Sequence, residues 1–229
     1  MREAIIIFTR VPIPGQTKTR LQSFLTKDQC AEIHKNFLKD IKSTCEKLKK
    51  DIFIFYTPED KDNELKNILG DKIKYKIQEG NGLGEKMYNA IEYVIDKKYK
   101  SCILIGTDIP FLKEDDLRKA FKILRKKDIV LGPTVDKGYY LVGMKNPIKE
   151  VFENVQYGYG NVLDDTIASI NNSNLTYDLT NENVDIDEKE DLFYFYNEIK
   201  KGNVSKNTNT SKFIINIIEE YEKCQQLII

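Results

Sequence analysis

The chain has 229 residues, 41% of them hydrophobic, with 36 basic and 36 acidic side chains and a formal net charge of zero. That length suits one large domain, or a domain with an appendage, and the apolar share is enough for a sizeable core. The charge balance excludes bulk electrostatic attraction to nucleic acid or to a membrane surface, though not a local phosphate site.

The first element expected is a buried strand, EAIIIFT. Its loop, FTRVPIPGQTKTRL, holds two prolines, Gly15 and the cations Arg10, Lys18 and Arg20. From Asp28 to Lys49, Ile33, Phe37, Leu38, Ile41 and Leu48 recur at helical spacing. Ile52 to Tyr56 reads as a second strand, followed by a polar helix and a strand over Ile73 to Ile77. The glycine-rich EGNGLG then leads into a helix from about Glu85 to Lys97. SCILIGTD reads as a fully buried strand, Glu114 to Lys126 as a helix, and Asp128 to Leu131 and Tyr139 to Met144 as strands. Helices near Val162 to Ile170 and Glu188 to Lys200 close a domain of residues 1–202. Residues 203–211 form a polar linker, and 212–229 an amphipathic helix that docks on the domain or on a second subunit. Strands alternating with helices of this length predict an α/β layer fold with a mostly parallel sheet, whose ligands sit beyond the carboxyl ends of the strands.

Cys30, Cys45, Cys102 and Cys224 lack metal-ligand spacing and read as reduced thiols of a cytosolic protein. MREAIIIFTR is too short for an export signal, and no apolar run spans a bilayer, so the expected location is cytoplasmic.

Phosphates bind where backbone N–H groups and cations converge at a strand-to-helix junction. The loop from Phe8 to Leu21 has this form. Arg offers a fork for two phosphate oxygens and Lys a point charge. In IGTDIPFL, Asp108 stands at the tip of a buried strand, well placed to share a divalent ion with phosphates. In NVDIDEKEDL, Asp185 and Asp187 lie on one side of an extended segment, and Asp187 can also cap the following helix with Glu190 three residues on. In GPTVDKGYYLVG, Asp136 and Gly138 suit a plain hairpin turn. The loop QEGNGLGEKM can present backbone N–H groups to a base or phosphate. His34, the sole histidine, reads as structural, and no Ser-His-Asp or Cys-His system can be built on it.

In order and spacing, FTRVPIPGQTKTRL, QEGNGLGEKM, GTDIP, GPTVDKGYYLVG and VDIDEKEDL resemble the radical-SAM/selenodomain-associated transferase 1 family over roughly residues 2 to 200. That family is similar to the nucleotide-diphospho-sugar transferases of GT-A fold, a three-layer α/β/α sandwich, and to 2-phospholactate guanylyltransferase and the molybdenum-cofactor nucleotidyltransferases. The resemblance implies a metal-dependent transferase with a nucleotide-activated donor, either a nucleoside triphosphate or a nucleotide-sugar, acting on a small acceptor. Arg10, Gly15, Lys18 and Arg20 would grip the phosphates, with Lys18, Arg20 and Asp108 carrying catalysis. Gln78, Gly80 and Gly84 would line the nucleotide. Asp108 with Asp185 or Asp187 would hold Mg2+ or Mn2+, and Asp136, Gly138 and Tyr139 would face the acceptor. Two departures fall on the acceptor side: Lys137 stands where the family has glycine, and Tyr157-Gly158-Tyr159 where it tends to have Trp-Gly-Thr. A non-catalytic nucleotide-binding or scaffold protein, associating through its tail, is the reading from a different class.

Overall fold

The first strand, β1 (Glu3–Arg10), is buried on both faces from Ala4 to Ile7, so it lies at the middle of the sheet. In this computed structural model, which describes residues 2–153, 155–158 and 160–226, β1 is flanked in parallel by β2 (Asp51–Thr57) and β4 (Ser101–Ile105). The remaining strands are β3 (Lys74–Ile77), β5 (Ile129–Pro133), β6 (Tyr139–Met144) and β7 (Tyr177–Leu179), in the spatial order β3-β2-β1-β4-β6-β5-β7. Only β6 runs antiparallel, between β4 and β5. The mostly parallel α/β expectation is met, with β7 added as an edge strand too short to leave a period in the sequence.

Alternation along the strands sorts the core into two layers. Ile5, Ile7, Ile103 and Ile105 face α1 (Lys27–Glu46), α2 (Asp62–Leu69) and α4 (Glu114–Leu124) through Leu38, Ile41, Leu65, Leu117 and Phe121. Ala4, Ile6, Cys102 and Leu104 face α3 (Leu83–Asp96) and α5 (Val162–Asn172) through Met87, Ile91, Val94 and Ile170. This is the α/β/α sandwich.

A third cluster joins α1 to α6 (Lys189–Lys201) and α7 (Asn209–Gln226). The tail helix therefore begins three residues before the expected position. Its start is fixed by Asp40 of α1, whose carboxylate accepts hydrogen bonds from the amides of Asn209 (3.0 Å) and Thr210 (2.8 Å) and from Asn209 Nδ2 (2.7 Å). A cap supplied from 169 residues away is invisible to local pattern reading. Ile214 and Ile218 are buried against α1 and α6, so the centre of the apolar stripe packs within the chain, with Phe213 and Ile217 half-buried beside it. Residues 227–229 and Tyr159 lie outside the described residues. No helix among the described residues is long and apolar enough to cross a membrane, and the four cysteines are free thiols, three of them buried.

Candidate active site

The loops after β1, β3 and β4 all leave the same edge of the sheet, and they line one cavity of about 670 Å³. Its cationic rim is Arg10, Lys18 and Arg20. Its opposite wall is Gln78, Gly82, Leu83, Lys86 and Met87, and its floor includes Phe8, Leu104, Val142, Tyr139 and Tyr140. Asp108 and Asp187 complete it. A volume of this size, part apolar and part charged, is typical of small-molecule sites.

The cationic loop is held from below. Gly15 takes φ +78°, which lets the chain reverse. A short 3₁₀ turn over Thr19–Ser23 follows, anchored by the fully buried Leu21. Lys18, just ahead of that turn, is itself left-handed at φ 47°, a conformation costing a non-glycine residue about 1–2 kcal/mol. The bend sends its side chain inward, where only 5% stays exposed. The ammonium donates to the Ile186 carbonyl (2.6 Å) and to Asp187 Oδ1 (2.9 Å), and pairs with Asp108. Arg20 stays exposed, with Nη1 3.5 Å from Asp187 Oδ2.

These contacts set the titration of the pair. Burial by itself lowers the Lys18 pKa, but Asp108 and Asp187 outweigh it and hold the ammonium above the ordinary lysine value. Burial likewise raises the Asp108 carboxyl, and the neighbouring Lys18 more than offsets this, leaving it below the ordinary value. Half of the Asp108 side chain nevertheless faces the open cavity.

Asp187 does not cap α6. Glu188 occupies the cap position, and the Asp191 carboxylate accepts from the amides of both Asp187 (2.8 Å) and Glu188 (2.7 Å). Asp187 is thereby free to meet Lys18. Asp185 lies outside the cavity lining. Its pKa rises to about 6 through burial and the neighbouring Asp136 and Asp187. Among the described residues no three or more His, Cys, Asp or Glu side chains are grouped to hold a metal ion. Asp108 and Asp187, however, already converge on a single cation, and two carboxylates completed by substrate oxygens suit a hard divalent ion.

Other expected residues are placed differently. Gln78 lines the cavity, but its amide nitrogen donates to the carbonyls of Thr9 (2.9 Å) and Phe55 (3.0 Å), clamping β1 to β2. Gly84 turns away from the cavity: a Cβ there would lie 2.8 Å from the Phe152 carbonyl oxygen and from the Tyr157 ring. Gly80 is also outside the lining, and Gly82 and Leu83 take that wall. Asp136 closes the β5–β6 hairpin, accepting from Thr134 Oγ1 and from the Gly138 amide (3.1 Å). Of the acceptor-side residues only Tyr139 reaches the cavity. Its hydroxyl lies 3.2 Å from that of Tyr157, and burial pushes its pKa well up. Lys137 holds φ 66°, which explains why a glycine also suits that turn.

Sequence reasoning did not single out several cavity residues for the site, among them Thr17, Thr107, Leu83, Lys86 and His34. Lys86 shares a face of α3 with Leu83, three residues before it, a spacing that could have signalled it. His34 sits on the buried stripe of α1 with Ile33, Phe37 and Leu38, and burial lowers its pKa to about 4. A polar residue within an apolar stripe was the available sign.

A parallel sheet with one reversed strand, and a charged cleft beyond its strand tips, define the fold class of nucleotide-diphospho-sugar transferases. The chain belongs to the family described as "Uncharacterized protein conserved in bacteria (DUF2064)", whose profile matches residues 41–159. It is 27% identical over 130 residues to the 2-phospho-L-lactate guanylyltransferase of Methanobrevibacter smithii, covering 57% of each chain. It is 26% identical over 227 residues to the enzyme of that name from Methanosphaera stadtmanae, covering 90% of this chain and 94% of the other. The match thus spans little more than half the length of the first of these relatives. A crystal structure from Desulfovibrio desulfuricans G20, described provisionally as a nucleotide-diphospho-sugar transferase, superposes with a TM-score of 0.90 at 29% identity, covering 96% of this chain and 99% of the other. These findings agree with the resemblance carried by the five motifs.

Proposed function

We propose that the chain is a nucleotidyltransferase that moves a nucleoside monophosphate unit from a nucleoside triphosphate to a small acceptor bearing a nucleophilic oxygen. The observation that carries this reading is the Lys18 ammonium held between Asp108 and Asp187, with Arg10 and Arg20 at the rim of the same cavity. Three cations on one side suit a polyphosphate. The names of the relatives support a triphosphate donor.

In the reaction, the acceptor oxygen attacks the α-phosphorus and the bond from that phosphorus to the α–β bridging oxygen breaks. Diphosphate leaves with the electron pair, while a hydroxyl acceptor would also give up its proton. No covalent enzyme intermediate is required. Lys18, Arg10 and Arg20 neutralise the charge that grows on the leaving diphosphate, and the preset loop orients it for in-line displacement. Asp108 and Asp187 would hold a divalent ion such as Mg2+ or Mn2+, which supplies charge neutralisation at the phosphate oxygens when bound. Leu83 and Met87 of the cavity wall would suit the base and ribose, and the side of Tyr139 the acceptor.

The description of the Desulfovibrio structure favours a second reading, in which a nucleotide-sugar gives its sugar to the acceptor. A thermal-shift panel of the four nucleoside triphosphates and several nucleotide-sugars, with and without magnesium, separates the two. Nucleotidyl transfer predicts stabilisation by a triphosphate. Stabilisation by nucleotide-sugars alone replaces it with the second reading, and no shift with any ligand removes both.

A further inference from the structure

Arg10 and Lys18 stand at the two ends of the loop after β1 and Asp108 in the loop after β4, and each directly follows a buried threonine: Thr9, Thr17 and Thr107. The three hydroxyls meet at one imidazole. His34 Nδ1 lies 2.5 Å from Thr17 Oγ1, and Nε2 lies 3.2 Å from Thr107 Oγ1 and 3.3 Å from Thr9 Oγ1. His34 is 3% exposed, and it sits on a 20-residue helix whose Ile33, Phe37 and Leu38 are buried on both sides of it. The site is thus hung on a rigid element, as precise placement of charged groups requires.

The hydrogens in this cluster follow from its donors and acceptors. Thr9 donates its one hydroxyl proton to the Arg10 carbonyl at 2.7 Å. Toward His34 it can only accept, so Nε2 carries the ring hydrogen. A neutral imidazole has one N–H, so Nδ1 is bare and accepts from Thr17. Thr107, 3.3 Å from Thr9, can donate to the Thr9 oxygen. Every polar atom of the four side chains then has a partner, and no charge is buried.

We propose that His34 is a positioning residue, which as a neutral Nε2–H imidazole ties the three threonines together and so fixes Arg10, Lys18 and Asp108 relative to one another before any ligand arrives. Its functional consequence rests on the nucleotide reading of the cavity; the tie itself does not. An apolar ring of similar size fills the space but takes a partner from the buried Thr17 and Thr107 hydroxyls, which loosens the loops after β1 and β4 together.

His34 is the sole histidine, so the ring nitrogens of 15N-labelled full-length protein can be read without ambiguity. The expected spectrum at pH 7 shows Nε2 protonated and Nδ1 bare. In His34→Phe, and separately in Thr17→Val, the amide signals of Arg10, Lys18 and Asp108 should shift or broaden together, and the Kd for inorganic tripolyphosphate should rise about tenfold in His34→Phe. His34→Gln, which keeps a donor near the Nε2 position, should fall between wild type and His34→Phe. An Nδ1–H tautomer, or amide changes confined to α1, overturns the proposal. So does an unchanged Kd in a wild type that binds tripolyphosphate. A wild type that binds no tripolyphosphate defeats the nucleotide reading instead, and the tautomer and amide pattern then decide on His34 alone.

Discussion

Replacing Lys18 with methionine removes the one charge on which Asp108 and Asp187 converge while keeping most of the buried stem. Hydrogen bonds to charged groups contribute about 1.5–3 kcal/mol each, and stripping one partner from a buried ion pair costs about 3–5 kcal/mol. Here 52% of the Asp108 side chain and 34% of the Asp187 side chain stay exposed. Water therefore resolvates much of both carboxylates, and the expected net loss is nearer 2 kcal/mol. For a chain of this size that lowers Tm by about 4–8 °C. The loss also has a pH signature. The Asp108 pKa is lowered in the folded protein, so its stabilisation is complete above the unfolded value of about 4 and drains away as pH falls through the folded value. Lys18 is raised, so its part is complete below about pH 10 and is lost only as pH climbs through its folded pKa. Urea unfolding of wild type and Lys18→Met should show a wide gap at pH 7 that closes below pH 4. A variant as stable as wild type at pH 7, or a gap independent of pH, refutes the reasoning.

Other consequences follow from single contacts. Asp185, raised to about 6 by burial, Asp136 and Asp187, costs stability when ionised. Asp185→Asn should therefore stabilise by about 1 kcal/mol at pH 7.5, after allowing for its partial exposure, and by nothing at pH 4; urea titrations at the two pH values check this. Asp40→Ala removes the cap of α7 and should cost about 1–2 kcal/mol, with faster hydrogen exchange concentrated in 209–226. Gly84→Ala drives a methyl against the Phe152 carbonyl and should cost about 1–3 kcal/mol in thermal unfolding. An unchanged Tm there would mean that the loop around Phe152 gives way freely.

The fold could be read from the sequence wherever period and punctuation agreed. AIIIF and SCILI announced central strands because both of their faces are covered, and Pro12, Pro14 and Gly15 marked the loop that the structure bends over the sheet edge. Convergence of the loops after β1, β3 and β4 followed from parallel topology alone. What stayed hidden depends on contacts between distant segments. Asp187 looked like a helix cap because Glu188, which takes that position with Asp191 reaching back to its amide, is distinguished only by the actual start of α6. Gly84 looked like a ligand contact because a glycine needed for close packing and one needed for close approach to a ligand read the same. His34 looked structural because the threonines that meet it lie 17 to 73 residues away.

The most direct test of the account is isothermal titration with magnesium and whichever nucleoside triphosphate stabilises the protein most, comparing wild type with the Lys18→Met/Arg20→Ala double variant. The account predicts saturable binding by wild type and a loss of about 100-fold or more in the variant, as expected when two charged phosphate contacts are removed. Equal affinity in the two proteins would contradict it.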